Sequence, residues 1–103
     1  MNFDRVAYKV QKAVTVATGP ASAVVAIPTT AAGTAAKVVR VTCAFANEYC
    51  YIMPGQAGTT VAVASGLGIG GASDMYLDVS GCTHIAHIQG SAAANLNIAV
   101  VEW

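Results

Sequence analysis

The sequence predicts an all-β domain, a small β-sandwich or jelly-roll-like barrel of about eight short antiparallel strands, and three observations carry that prediction. Apolar and polar residues alternate with a period of two along much of the chain. Turn signals built on Gly, Pro, Asn and Ser separate these runs at intervals of roughly 8–12 residues. No stretch holds an apolar period suited to a helix, and the alanine-rich pieces are too short and too interrupted by Gly and Thr to favour one.

In chain order, Val6, Tyr8 and Val10 alternate with Arg5, Ala7, Lys9 and Gln11. This marks residues 1–12 as an N-terminal strand or extended arm ahead of a single β domain over 13–103. Residues 12–17 (KAVTVA) stop at Gly19-Pro20, and 21–27 (ASAVVAI) are closed by Pro28, which has no N–H to give to a central ladder. These two read as neighbouring strands. Residues 29–36 (TTAAGTAA) read as a loop around Gly33. The strongest β run is 37–44 (KVVRVTCA), with Val39, Val41 and Cys43 on the inward face and Val38, Arg40 and Thr42 on the other. A short aromatic strand, 48–53 (EYCYIM), ends at the turn signal Pro54-Gly55. Residues 59–64 (TTVAVA) alternate like a further strand, and 65–73 (SGLGIGGAS) read as a flexible glycine-rich loop. Strands at 75–79 (MYLDV), 83–89 (THIAHIQ) and 95–102 (NLNIAVVE) complete the set.

A chain of 103 residues has room for one core, and its 55% hydrophobic and 10% charged residues compare with about 25% charged in an ordinary soluble domain. So small a domain cannot hide all of that apolar surface in its own interior, which points to association with other polypeptides. Five Lys and Arg balance five Asp and Glu. Arg5, Lys9 and Lys12 form a loose group beside Asp4, which is not the basic stripe that displaces several counterions, so nucleic acid is not an expected partner. Gly, Pro, Thr or a charge interrupts every apolar run well short of the ~20 residues that span a bilayer, so no membrane partner is expected either. The opening residues Met1 to Arg5 lack the basic and apolar regions of a secretory signal, which leaves the cytoplasm as the expected place of synthesis.

Several motifs invite a chemical reading and are better explained structurally. Gly66 to Gly71 (GLGIGG) matches G-x-G-x-x-G, but the dinucleotide use requires a helix to open there, and a strand follows instead. Cys82, His84 and His87 are the one cluster of possible metal ligands. On a strand Cys82 and His84 share a face that His87 does not, so the expectation is one His in the core or an interface, one at the surface, and no cofactor. A ring of His84 or His87 ligands on a symmetry axis is the alternative. Cys82, His84 and Asp78 lack the geometry of an activated nucleophile, and Asp74 with Asp78 reads as a solvated face rather than a glycosidase pair, so no enzyme is expected. The odd count of Cys43, Cys50 and Cys82 favours buried free thiols, with a Cys43–Cys50 bridge across a turn as the alternative. Tyr49, Tyr51, Tyr76 and Trp103 could line an interface or a sugar-binding face.

Residues 78–103, DVSGCTHIAHIQGSAAANLNIAVVEW, resemble the closing hairpin of small virion proteins from tailed bacteriophages. The matching positions are Gly81, Thr83, Ile85, Ile88, Gly90, Leu96 and Ile98, and the Pro-Gly turn with its glycine-rich loop before MYLDV is similar too. The alanine run at 92–94 and the histidines of the penultimate strand depart from that pattern. The resemblance implies a capsid decoration or cement protein that binds the outside of the shell and joins neighbouring major capsid subunits. It implies a homo-oligomer, a trimer rather than a dimer, located on the capsid exterior after assembly in the host cytoplasm. A head–tail or tail adaptor, or a carbohydrate-binding jelly roll using Tyr49, Tyr51 and Trp103, are the alternatives. The residues expected to meet a partner are Phe3, Val6, Tyr8, Val10, Tyr51 and Trp103, since an alternating terminal strand can add to an open sheet edge.

Overall fold

The computed structural model describes residues 9–43, 48–71 and 73–102. Eight strands occupy them: β1 Lys9–Ala17, β2 Ala23–Ala26, β3 Val38–Cys43, β4 Tyr49–Gly55, β5 Leu67–Gly70, β6 Asp74–Asp78, β7 His84–Gln89 and β8 Asn95–Glu102. They form two four-stranded sheets, β1-β8-β3-β6 and β2-β7-β4-β5, with every pairing antiparallel. Apart from the β4–β5 hairpin, every connection crosses between the sheets. This eight-stranded double-sheet weave is that of a jelly roll, as the alternation predicts.

Register decides which side chains enter the space between the sheets. In the first sheet, Val39 stands opposite Leu77 and Val100, and Val41 opposite Met75 and Ile98. Val39, Val41 and Cys43 are completely buried, as the pattern of KVVRVTCA requires. In the second sheet, Ile52 stands opposite His87 and Leu67, and Cys50 opposite Gln89 and Ile69. Ile52, Cys50, Ile69 and Ile85 join the valines, Leu96 and Ile98 in one core cluster.

The ends of the sandwich are tied by side chains that replace ladder hydrogen bonds. At one end, Thr18 N donates to Ala94 O (2.8 Å) and Ala94 N donates to Thr18 Oγ1 (2.8 Å), clamping the β1–β2 and β7–β8 connections together. Glu48 serves the same end, where Oε1 accepts from Asn95 N (2.9 Å) and its carbonyl accepts from Gly71 N (3.0 Å). At the other end, Gln56 Nε2 donates to Gly81 O (2.9 Å) and Thr83 Oγ1 donates to Gln56 Oε1 (3.0 Å).

Four local expectations are corrected. Residues 12–17 and 21–27 are not neighbouring strands: the first falls in β1, paired with β8 in one sheet, and the second contains β2, paired with β7 in the other. Residues 59–64 are irregular, set between turns at 57–58 and 63–65, not a strand, because nearby hydroxyls capture the backbone: Gln56 N donates to Thr59 Oγ1 (2.8 Å) and Ala62 N to Ser65 Oγ (3.2 Å). The alternation fails there too, since Val61 is buried and Val63 is exposed. Conversely, the glycine-rich stretch is no loop at its centre. Leu67–Gly70 is strand β5, held against β4 by the burial of Ile69 opposite Cys50. Finally, Pro54-Gly55 is not a turn after Met53 but the last two residues of β4. The β4–β5 pairing stops at Ile52, so Pro54 has a ladder only toward β7, where it faces Ile85 and the missing N–H is tolerated.

Candidate functional site

The two outer faces of the sandwich differ in chemistry. Outward positions of the first sheet mix Thr15, Arg40, Thr42, Asp74, Asp78 and Asn97 with Ala13, Val38, Tyr76, Ala99 and Val101, so that face carries both charged and apolar side chains. Outward positions of the second sheet are Val24 and Ala26 on β2, His84, Ala86 and Ile88 on β7, Tyr49, Tyr51 and Met53 on β4, and Gly68 and Gly70 on β5. Among these described residues there is no Asp, Glu, Lys or Arg.

Part of that face has its own cover. Ala86 points outward by register, opposite Val24 and Met53, yet it is fully buried. The cover is the β4–β5 connection, residues 56–66, which crosses to the far strand of the sheet, where Val61 N donates to Ser22 Oγ (3.0 Å). Val61 is buried beneath it, and the loop returns to β5 past Tyr51: a Cβ at Gly66 would lie 2.8 Å from Tyr51 Cβ and 2.6 Å from Val61 Cγ2.

The uncovered part centres on the tyrosines. Tyr51 stands opposite Ile88 and Gly68, and Tyr49 opposite Gly70. The bare glycine backbone lets the rings lie along the sheet. A Cβ at Gly68 would sit 3.4 Å from Tyr51 Cε2, one at Gly90 would sit 2.7 Å from Tyr49 Cε2, and one at Gly70 would collide with Tyr49 Cβ. The two rings meet edge to face, with centroids 5.8 Å apart and planes at 74°. Tyr49 is 42% exposed and Tyr51 half-buried, and Met53 and Ile88 continue the apolar surface. Chemically this is a flat, uncharged, aromatic-centred surface suited to contact with another apolar surface.

Of the residues expected to meet a partner, Tyr51 lies in the middle of this surface. Val10 belongs to β1, opposite Val101, at the far edge of the other sheet. Phe3, Val6, Tyr8 and Trp103 lie outside the described residues. Sequence reasoning missed the part played by the glycines. Its signal was the spacing Gly66, Gly68, Gly70, a period of two facing the Tyr49, Tyr51 period of the preceding strand.

The titratable motif residues are dispersed. His87 points into the core, opposite Ile52 and Ala23, with both ring nitrogens buried and unpartnered, and burial pushes its pKa down. His84 is half-buried on the outer face, its Nδ1 2.8 Å from Thr83 Oγ1. The split is the one expected, with one histidine inside and one outside. Cys82 precedes β7 instead of sharing it with His84. Asp78 accepts from Ser80 N (2.9 Å), which holds its carboxyl below the usual range. Among the described residues no group of three or more His, Cys, Asp or Glu is placed to hold a metal ion. Cys43, Cys50 and Cys82 form no disulfide with one another, and burial, reinforced by Cys43 and Glu48, pushes Cys50 up to about 11.

Fold and surface together define a jelly-roll domain in which, among the described residues, one outer face carries Arg40, Asp74 and Asp78 and the other carries no Asp, Glu, Lys or Arg. No family model, curated protein or solved structure matches the chain.

Proposed function

We propose that this chain is a structural binding protein that seats the outer face of its β2-β7-β4-β5 sheet on other polypeptides, and that its setting is the outside of a phage capsid, where it cements neighbouring major capsid subunits. The observation that carries the first part is the contrast between the two outer faces. An antiparallel sheet that faces water alternates apolar-in with polar-out, whereas the outward positions of the second sheet, His84 apart, are apolar, aromatic or small. Surface of that kind is retained where a partner covers it. The capsid setting rests on the resemblance of residues 78–103 to small virion proteins.

The mechanism is additive. Each copy hides a modest apolar patch across a joint between subunits, so separating the subunits must expose it to water at about 25 cal/mol per Å². Many copies in parallel raise the resistance of the shell even after association costs are subtracted. The edge-to-face arrangement of Tyr49 and Tyr51 offers one flat ring face instead of a coplanar pair, which favours a packed protein surface over a stacked sugar.

The test is binding of the purified chain to capsids that lack it. Tyr49→Asp places a charge on the exposed ring position and is expected to lower occupancy at least 30-fold in affinity, corresponding to the ~2 kcal/mol of a central aromatic anchor. Thr15→Asp, on the outer face of the first sheet, is expected to leave occupancy unchanged. Equal effects of the two variants would remove the assignment of the face. Absence of capsid binding by the wild-type chain, with Tyr49-dependent capture of some other protein, would remove the capsid and keep the face.

A further inference from the structure

His84 stands on the uncharged outer face, and a chain of three hydrogen bonds, Gly81 to Gln56 to Thr83 to His84, runs into its ring from one end of the sandwich. The chain starts at the Ser80-Gly81 turn between β6 and β7. Gly81 has a φ of 80°, a backbone shape natural to glycine, and Cys82 N donates to Val79 O (2.9 Å), so the Gly81 carbonyl is held in place. Thr83 is pinned on both sides: its N donates to Gly55 O (2.9 Å) and its carbonyl accepts from Ile27 N (2.9 Å). The hydroxyl that meets His84 therefore sits on a fixed backbone.

The direction of each bond follows from what each atom can do. Gly81 O only accepts, so the Gln56 atom 2.9 Å from it is the amide nitrogen, and Oε1 is the atom turned to Thr83. Oε1 also only accepts, so the single hydroxyl proton of Thr83 goes to Gln56 across 3.0 Å. Thr83 Oγ1 then offers only lone pairs to His84 Nδ1, 2.8 Å away, and Nδ1 must be the donor. A neutral imidazole carries one ring proton, which leaves Nε2 with a bare lone pair. The other tautomer would set lone pair against lone pair, either between Thr83 and Gln56 or between Thr83 and His84.

Among the described residues Nε2 has no hydrogen-bond partner, and unlike the nitrogens of His87 it is not shut away from solvent. Across the ladder from His84 stand Ala26 on β2 and Gly55 on β4, neither with a polar side chain. Ile88 and its neighbour Tyr51 lie four positions along β7, roughly 13 Å away at 3.3 Å per residue. The loop 56–66 crosses the face between them, over Ala86, so His84 belongs to the rim, where interfaces place their polar contacts, and the tyrosines to the apolar centre.

We propose that His84 is the orienting hydrogen-bond acceptor of this face, with Nδ1 carrying the ring proton and Nε2 taking an N–H donor from the polypeptide seated there. The place of the proton rests on the hydrogen bonds alone, and its use by a partner rests on the binding role proposed for the face. The hydroxyls of Tyr49 and Tyr51 can turn to donate or to accept, so they select little. A ring fixed through Thr83 accepts only. A partner that brings a carbonyl to Nε2 sets two acceptors against each other and is disfavoured, whereas one that brings an N–H is admitted. Gln56 and Thr83 act as positioning residues, holding the tautomer without touching the partner's donor.

The test has a spectroscopic and a binding arm. A long-range proton–nitrogen correlation spectrum of the isotope-labelled full chain at pH 7.5 is expected to show His84 protonated at Nδ1 and bare at Nε2, with His84→Gln assigning the signals. Gln56→Leu, which frees the Thr83 hydroxyl to donate to Nδ1, is expected to weaken that preference. A ring protonated at Nε2 overturns the inference, and so does a tautomer that ignores the Gln56 substitution. On capsids that lack the chain, His84→Leu is expected to bind roughly 3- to 10-fold more weakly than wild type, the share of one neutral hydrogen bond. His84→Gln, whose amide oxygen can accept in place of Nε2, is expected to stay within about 2-fold of wild type. His84→Leu binding as well as wild type, or His84→Gln as weak as His84→Leu, overturns the use of Nε2 while a loss on Tyr49→Asp keeps the face. A wild-type chain that does not bind capsids, or binds no better than Tyr49→Asp, removes the reading of the face and the partner contact with it, and the spectrum alone then decides where the proton sits.

Discussion

Protonation of His87 is expected to dominate the acid response of this fold. The imidazole lies between the sheets, 2% exposed, with Ile52 and Ala23 across the ladder and Ile85 two residues away. Neither nitrogen has a hydrogen-bond partner, and burial lowers its pKa from the ordinary 6.5. The folded-state pKa therefore lies below the unfolded one, so the contribution to stability is intact above pH 6.5 and is lost as pH falls toward the folded value. In that window the unfolded chain binds a proton the folded chain does not, and stability declines by about 1.4 kcal/mol per pH unit. Among the described residues no Asp, Glu, Lys or Arg is buried, and the core cluster with its partly buried neighbours adds only the thiols of Cys43, Cys50 and Cys82, so nothing there offsets an imidazolium. The assay is urea unfolding between pH 7.5 and 5.0 for wild type, His87→Leu and His84→Gln. His87→Leu should flatten the decline below pH 6.5, whereas His84→Gln should keep it. Removal of two unsatisfied nitrogens should also offset the change of shape, so His87→Leu is expected within about 1.5 kcal/mol of wild type at pH 7.5. Parallel pH profiles for wild type and His87→Leu would refute the reasoning.

Two further substitutions probe the geometry. Gly70→Ala, whose Cβ would collide with Tyr49 Cβ and crowd the Glu48 carbonyl, should destabilise by about 2 kcal/mol or more, while Gly68→Ala, in ordinary contact with Tyr51, should cost less than about 1 kcal/mol; thermal melts compare them. Thr18→Val strands the Ala94 N–H at the buried clamp and should cost about 1–3 kcal/mol in urea unfolding, with amide exchange at Ala94 accelerated most.

How much was legible in the sequence follows from what each signal encodes. Alternation encodes a face, so it marked the inward set of β3 and most of the strands correctly. It failed at 59–64, where Val61 and Val63 alternate as in a strand but Thr59 and Ser65 bond the backbone into turns. It also failed at 65–73, where composition argued for a loop. Glycine weakens a strand when judged alone, and only the neighbouring β4, with Tyr49 and Tyr51 lying along the bare backbone, makes glycine the residue that fits.

By itself, then, the sequence determined the all-β class, the inward face of β3 and the separation of its two histidines, because a period of two is a local property of an extended chain. Only the tertiary structure decided the strand order, the covering of Ala86 by residues 56–66, and which of the two outer faces lacks charge. Those depend on which strands become neighbours, and that is set by long-range packing that no local pattern records.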